Sequence, residues 1–225
     1  MFLYQNELVC DLVDNAKRSL LLKKSLSDTL VHFYPLAGRV KGNESIDCND
    51  EGVEFDEADV SSKLLEVMEN PKIENLRGLL PFELIAHDKY IVLGIQVNHF
   101  SCGGIAISVC ISHKIVDGQA LADFVGAWAM MTRGFEVDDQ VLASPKFDGA
   151  SCFPPRELNG IYIFNDSICM EKIVTRRFVF DKKSLDALKE QAARSIDGRA
   201  PEKAPTRVEV VSFLVEAHHG GNSKG

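Results

Sequence analysis

From Ile105 to Ser112 the chain sets bulky apolar side chains at odd positions and small ones at even positions, the two-residue period of a half-buried strand. Directly afterwards Leu121, Phe124, Val125, Trp128 and Met131 recur at helical spacing. The order strand, short loop, helix follows, with Asp117 or Gly118 where the helix begins. Tyr90 to Phe100 is strand-like as well, and Ser101-Cys102-Gly103-Gly104 between the two runs predicts a hairpin.

Earlier in the chain, Asp11 to Phe33 places Leu12, Ala16, Ser19 or Leu20, Leu26, Leu30 and Phe33 on one face of an amphipathic helix, with Lys17, Lys23 and Lys24 elsewhere. Pro35 ends that helix near Phe33. Leu36 to Val40, Ser45 to Cys48 and Val53 to Phe55 read as short strands parted by turn formers, a small antiparallel meander. Ser61 to Glu69 reads as a short helix stopped by Pro71, and Asn70 to Asp88 has no clean period.

Arg133 to Asp166 is a long irregular excursion rich in Gly, Pro, Asp and Ser. Ile173 to Phe180 predicts a strand, and Leu185, Leu188 and Ala192 a helix from about Ser184 to Arg194. Ile196 to Pro205 has the composition of an exposed connector. Thr206 and Glu209 then form a capping-box pattern, each side chain satisfying the other's free amide as a helix opens with Val210, Val211 and Leu214.

A 45% hydrophobic chain of 225 residues holds enough apolar side chains for a real core. Net charge −8 and a pI near 5.3 argue against a nucleic-acid partner, which calls for concentrated Lys and Arg. No run approaches the ~20 apolar residues of a membrane span, so a soluble, cytoplasmic protein is expected. Cys10, Cys48, Cys102, Cys110, Cys152 and Cys169 never form a CxxC pair, so neither a zinc knuckle nor a dithiol is indicated; most of these thiols are expected to be reduced, buried and inert.

The candidate chemistry sits in the loop after the alternating strand. The chain has no GxSxG elbow, GxxxxGK[ST] loop, HExxH helix or GxGxxG turn. Ser112 and His113 are strand neighbours that point to opposite faces, so they do not make a nucleophile pair. His113 and Asp117 alone supply two of the three or four ligands of a zinc site, and no metal is expected. His218 and His219 lie in a tail without apolar period. What remains is acid–base work by His113, placed beyond a strand's carboxyl end where α/β folds expose ligand-handling groups. The plain alternative is an ordinary histidine near a strand end. Asp117 has two readings as well: it orients the imidazole, or it anchors the loop by pairing with an arginine or capping the helix.

His113-Lys114-Ile115-Val116-Asp117-Gly118 resembles the HxxxD motif, often followed by Gly, of the plant BAHD acyl-CoA-dependent acyltransferases. Further stretches resemble that family in order: Leu26-Ser27-Asp28-Thr29-Leu30, His32-Phe33-Tyr34-Pro35-Leu36-Ala37-Gly38-Arg39, Cys48-Asn49-Asp50-Glu51-Gly52-Val53, Cys102-Gly103-Gly104, Phe153-Pro154-Pro155 and Arg176-Arg177-Phe178-Val179-Phe180-Asp181. The wording is nearest to the vinorine synthase-like acetyltransferases. The resemblance implies an α/β fold, a mixed sheet flanked by helices, as the N-terminal domain of the two-domain chloramphenicol acetyltransferase-like architecture. It implies His113 as general base, Asp117 and Gly118 as structural members of the motif, and Lys114 as a solvated side chain. Acyl-CoA, chiefly acetyl-CoA, would be a co-substrate with no permanently bound cofactor, and the acceptor a hydroxyl or amine of a plant specialised metabolite. Residues 1–195 would be that domain, incomplete at its N-terminus, and 196–225 the start of the interdomain crossover. The family's second domain, with its DFGWG motif, is expected to be missing, so that a complete product, monomeric, is active while this length of chain is an inactive half domain with at most a binding role.

Overall fold

The computed structural model describes residues 2–4, 15–41, 45–81, 91–135, 145–152, 154, 177–194 and 205–220. They divide into two compact units, Met1–Ile173 and Val174–Gly225.

The first unit runs β1 (Phe2–Tyr4), α1 (Asn15–His32), a 3₁₀ turn (Tyr34–Ala37), β2 (Arg39–Lys41), β3 (Ser45–Asp47), β4 (Glu54–Val60), α2 (Leu64–Glu69), α3 (Ile73–Arg77), β5 (Leu93–Phe100), β6 (Ile105–Ile111), α4 (Gly118–Thr132) and α5 (Gly149–Cys152). Its main sheet has the order β1-β6-β5-β4. β5 pairs antiparallel with β6, from Leu93 opposite Ile111 to His99 opposite Ile105, and parallel with β4. The sheet is therefore mixed, and the class is α/β as expected.

β5 is buried along its whole length because both faces of the sheet are covered. Leu93, Ile95 and Val97 pack with Leu22 and Leu26 of α1 and with Phe124, Ala127 and Trp128 of α4. Phe100 and Ala106 pack with Leu64, Val67 and Leu79 on the other face. That second face also holds Gln96 and Asn98, whose side-chain amides donate to the carbonyls of Gly78 (3.3 Å) and Leu79 (3.0 Å). The small even residues of β6 lie deeper than the bulky odd ones, a consequence of this second layer. In the hairpin, Gly103 takes φ +78, and a Cβ on Gly104 would come within 2.9 Å of Leu64 Cδ2, so both positions require glycine.

Three expectations are corrected in this unit. The inner face of α1 is Ser19, Leu22, Ser25, Leu26 and Thr29, whereas Leu20 is 69% exposed and Ala16 points outward. Hydroxyls can be buried when helix carbonyls and neighbours satisfy them: Thr29 Oγ1 donates to Ser25 O (2.7 Å), and Ser25 Oγ meets Thr132 Oγ1 (2.8 Å) and accepts from Trp128 Nε1 (3.1 Å). Of the strand expected from Leu36 to Val40, Leu36 and Ala37 belong to the 3₁₀ turn Tyr34–Ala37, which has Pro35 in its first turn, and strand begins only at Arg39. The meander is a two-stranded β2–β3 hairpin, because β4 leaves it to pair with β5. Leu12 lies outside the described residues.

The second unit contains α6 (Lys182–Arg194) and α7 (Arg207–Gly220). Asp181 Oδ1 accepts from Ser184 N (2.7 Å) at the start of α6, which holds its carboxyl below the usual carboxylate range. The Thr206–Glu209 capping box forms as expected: Thr206 N donates to Glu209 Oε2 (2.6 Å) and Glu209 N to Thr206 Oγ1 (3.2 Å). The strand expected up to Phe180 is not found in its described part, residues 177–180, where Phe178 and Val179 are exposed without a strand partner; the rest lies outside the described residues.

Candidate active site

The loop carrying His113 is pinned at both ends. Ser112 N donates to Val92 O (2.9 Å), which continues the sheet's spacing, and Ser112 O accepts from Ile115 N (3.0 Å) and Val116 N (3.2 Å), closing a tight turn over His113 and Lys114. Val116 then drops into the core beside α1 and α4. His113 is exposed on this turn and makes no hydrogen bond or ion pair among the described residues. A supported backbone carrying an exposed imidazole suits a group that exchanges protons with a bound molecule.

Asp117 is the N-cap of α4, in extended conformation (φ −85, ψ −180), with Oδ1 accepting from Ala120 N at 2.8 Å. Its carboxylate is committed to the helix start, and no hydrogen bond or ion pair joins it to His113. Arg39 is bound to Glu51 at 3.0 Å and to Gly52 O at 2.7 Å. Gly118 opens α4, and nothing lies within 4 Å of where a Cβ would stand, so packing does not demand glycine there.

Beside the turn lies a cavity of about 820 Å³. Leu36, Val40, Ile46, Ile115 and Val116 form its apolar wall, Tyr34 and Phe147 stand in it, and Lys114, Asp123 and Lys146 are its charged members. The size is that of a small-molecule site. Periodicity did not mark Tyr34 or Phe147 as site residues; the available signal was an aromatic beside a proline, Tyr34-Pro35, and one close to Pro145.

Two other groups of polar residues stand apart from this site. His99 Nε2 lies 3.1 Å from Ser19 Oγ and 3.8 Å from Glu57 Oε2, while its Nδ1 is buried without a partner among the described residues. Lys23 ion-pairs with Glu57, and that ammonium, with the Ser19 hydroxyl, holds the Glu57 carboxyl below its ordinary value. Ser19 is almost fully buried, so this serine and histidine do not form an accessible nucleophile pair. The second group surrounds a thiol. The expectation of buried thiols fails at Cys48, Cys102 and Cys152, which are exposed; only Cys110 among the described cysteines is buried, and burial pushes its thiol up. Cys102 accepts from Leu64 N (3.4 Å), which lowers its thiol. Cys10 and Cys169 lie outside the described residues. Among the described residues no three His, Cys, Asp or Glu are grouped for a metal, and no helix is long and apolar enough to cross a membrane.

Comparison with known proteins assigns the class. A profile of the Transferase family matches residues 1–215, and the chain belongs to that family, the BAHD acyltransferases, with the CoA-dependent acyltransferase fold. Among its relatives, stemmadenine O-acetyltransferase of Catharanthus roseus is 43% identical over 219 residues, covering 94% of this chain and 49% of that protein. Vinorine synthase of Rauvolfia serpentina is 39% identical over 222 residues, covering 96% and 50%. The crystal structure of vinorine synthase superposes with a TM-score of 0.73 at 35% identity, again over 96% of this chain and 50% of that one. A Fusarium sporotrichioides TRI101 structure complexed with coenzyme A and T-2 shares the fold at TM-score 0.61 and 17% identity. The chain spans about half the length of the curated relatives it matches.

Proposed function

We propose that this chain carries the base of an acyltransferase that moves an acetyl group from acetyl-CoA to a hydroxyl or amine of a plant specialised metabolite. The observation that supports it best is the placement of His113: exposed on a turn held by Ser112 and Val116, without a hydrogen-bond or ion-pair partner among the described residues, and followed directly by Lys114, Ile115 and Val116, which line a cavity of ligand size. In this reading the imidazole takes the proton of the acceptor as its oxygen or nitrogen attacks the thioester carbon. The tetrahedral adduct collapses, the carbon–sulfur bond breaks, and the CoA thiolate recovers the proton from the imidazolium. General-base help of this kind is worth roughly 10²–10⁴-fold. Asp117 acts on the site only through the backbone, by fixing where α4 begins. Acyl-CoA is a co-substrate rather than a resident cofactor, and acetyl as the acyl group rests on the relatives named above. A full-length monomer in the cytoplasm, without nucleic-acid or membrane partners and with residues 1–195 as its first domain, belongs to the same proposal.

The half-length match favours a second reading for the chain as it stands: a half domain that binds acceptor or acyl-CoA without turnover. Release of free CoA from acetyl-CoA by the purified chain, over a panel of acceptors and with His113→Ala as control, separates the two. Release that disappears in the variant supports catalysis by this chain alone, and silence supports the half domain.

A further inference from the structure

The turn that carries His113 is anchored to two different bodies. Its first end belongs to the sheet, where Ser112 N donates to Val92 O (2.9 Å), and its second to α4, where Asp117 caps the helix through Ala120 N (2.8 Å). The course of the chain between them therefore depends on where α4 sits along the sheet. Against β5, α4 sets apolar side chains: Phe124, Ala127 and Trp128. Apolar contact has no preferred direction, so it resists separation of the two bodies far more than a slide of one along the other.

Direction is supplied by α1. That helix is tied to the sheet by polar groups: Ser19 Oγ lies 3.1 Å from His99 Nε2 on β5, Lys23 ion-pairs with Glu57 on β4, and Arg18 Nη1 donates to Gly103 O of the hairpin (2.8 Å). In turn, α4 is tied to α1. Trp128 Nε1 donates to Leu22 O (3.2 Å) and to Ser25 Oγ (3.1 Å). Thr132 Oγ1 donates to Trp128 O (2.7 Å) and lies 2.8 Å from Ser25 Oγ. With the Thr132 proton on Trp128 O, the Ser25 proton is shared between Thr132 Oγ1 and Leu22 O (3.1 Å). Ser25 and Trp128 are both buried. A slide of α4 by one residue's rise, about 1.5 Å, would break the bonds across the helix pair and leave the indole N–H buried without a partner.

We propose that Ser25, Trp128 and Thr132 are positioning residues for the acyl-transfer base: their hydrogen bonds fix the register of α4 along α1 and thereby the course of the turn that presents His113. The lock acts roughly 20 Å along the helix from Asp117, and a helix moves over such a length as one piece. A misplacement of about 1 Å at a reacting group costs up to about 10²-fold in rate. The proposal rests on the reading of His113 as base for its catalytic meaning, and on the two helices alone for its geometry. Proton–nitrogen correlation NMR of the full chain tests it, with the Ala120 amide and the His113 ring as reporters of the turn. Ser25→Ala and Thr132→Val each remove one hydroxyl and are expected to shift both reporters, whereas Thr132→Ser, which keeps the hydroxyl, leaves them in place. The two variants lie on opposite helices, so either decides alone if the other does not fold. Leu64→Ala, which opens the core on the sheet's other face, is expected to lower the melting temperature without moving either reporter. Unmoved reporters in the hydroxyl variants, or equal shifts in Leu64→Ala, would overturn the lock. Where acetyl transfer is measured, Ser25→Ala is expected to lower kcat about tenfold, with a smaller change in KM for the acceptor. Shifted reporters without any His113-dependent transfer leave the lock standing and remove the base; His113-dependent transfer at wild-type kcat in both hydroxyl variants removes the lock and leaves the base.

Discussion

The Asp117 carboxylate accepts the backbone N–H of Ala120 at 2.8 Å, so the acidic residue four positions after His113 holds the first turn of α4 rather than the imidazole. Removing an N-cap of this type costs about 1 kcal/mol. Asp117→Ala should therefore lower stability in urea by about that amount, while Asp117→Asn and Asp117→Ser, which keep an acceptor oxygen, should lose only a fraction of it. A loss in Asp117→Asn as large as in Asp117→Ala would show that the charge, and not the cap, is what matters.

The capping box at Thr206 and Glu209 makes a parallel prediction in the second unit. Thr206→Ala should cost about 1 kcal/mol of helix stability. Far-UV circular dichroism during thermal melting reads it as an earlier loss of helical signal. An unchanged melt would mean that α7 is held by packing instead.

Phe124 is fully buried between Phe33, at 5.5 Å between centroids, and Trp128, at 6.4 Å. Phe124→Ala should destabilise the first unit by about 3–5 kcal/mol, the range for a large core aromatic replaced by alanine. Trp128 is the single tryptophan, so its fluorescence follows unfolding of this core directly. A smaller loss than about 2 kcal/mol would indicate that α1 and α4 close the gap.

Glu57 sets an acid-side dependence. Its carboxyl titrates below the ordinary range, first because of the Lys23 ammonium and then the Ser19 hydroxyl. A group depressed in the folded state contributes stability that is complete above its unfolded value and is lost as pH falls through the folded one. Stability should therefore fall on acidification below the ordinary carboxylate range, and Glu57→Gln should flatten that limb. The Glu57 side chain keeps 34% exposure, so screening makes the effect small. Identical acid limbs in wild type and variant would remove Glu57 from the explanation.

How far the site could be read in advance follows from the range over which each residue's neighbours act. The turn carrying His113, the cap at Asp117 and the β5–β6 hairpin were legible because the apolar period changes from 2 to 3.6 within a few residues and the punctuating glycines are local. The capping box was legible for the same reason. The face of α1 was legible only in part: Leu26 and, as one of two alternatives, Ser19 were placed on it, whereas Ser25 and Thr29 count as polar in any period; Thr29 is satisfied within the helix by Ser25 O, and Ser19 and Ser25 meet His99, Trp128 and Thr132, each at least 80 residues away. The departure of β4 from the expected meander is also long-range, since its partner β5 lies some 40 residues on. Tyr34 and Phe147 were hidden by the same distance. One lay in a stretch read as turn and strand, the other in an irregular excursion, and only the fold brings them edge to face.

The most direct test of the acid–base assignment is the turnover number for acetyl transfer, with His113→Ala set beside Asp117→Asn. A proton-accepting His113 predicts a loss of about 10²–10⁴-fold in His113→Ala and a loss of under about tenfold in Asp117→Asn, which keeps the cap. Near-wild-type turnover in His113→Ala, or equal losses in the two variants, would contradict it.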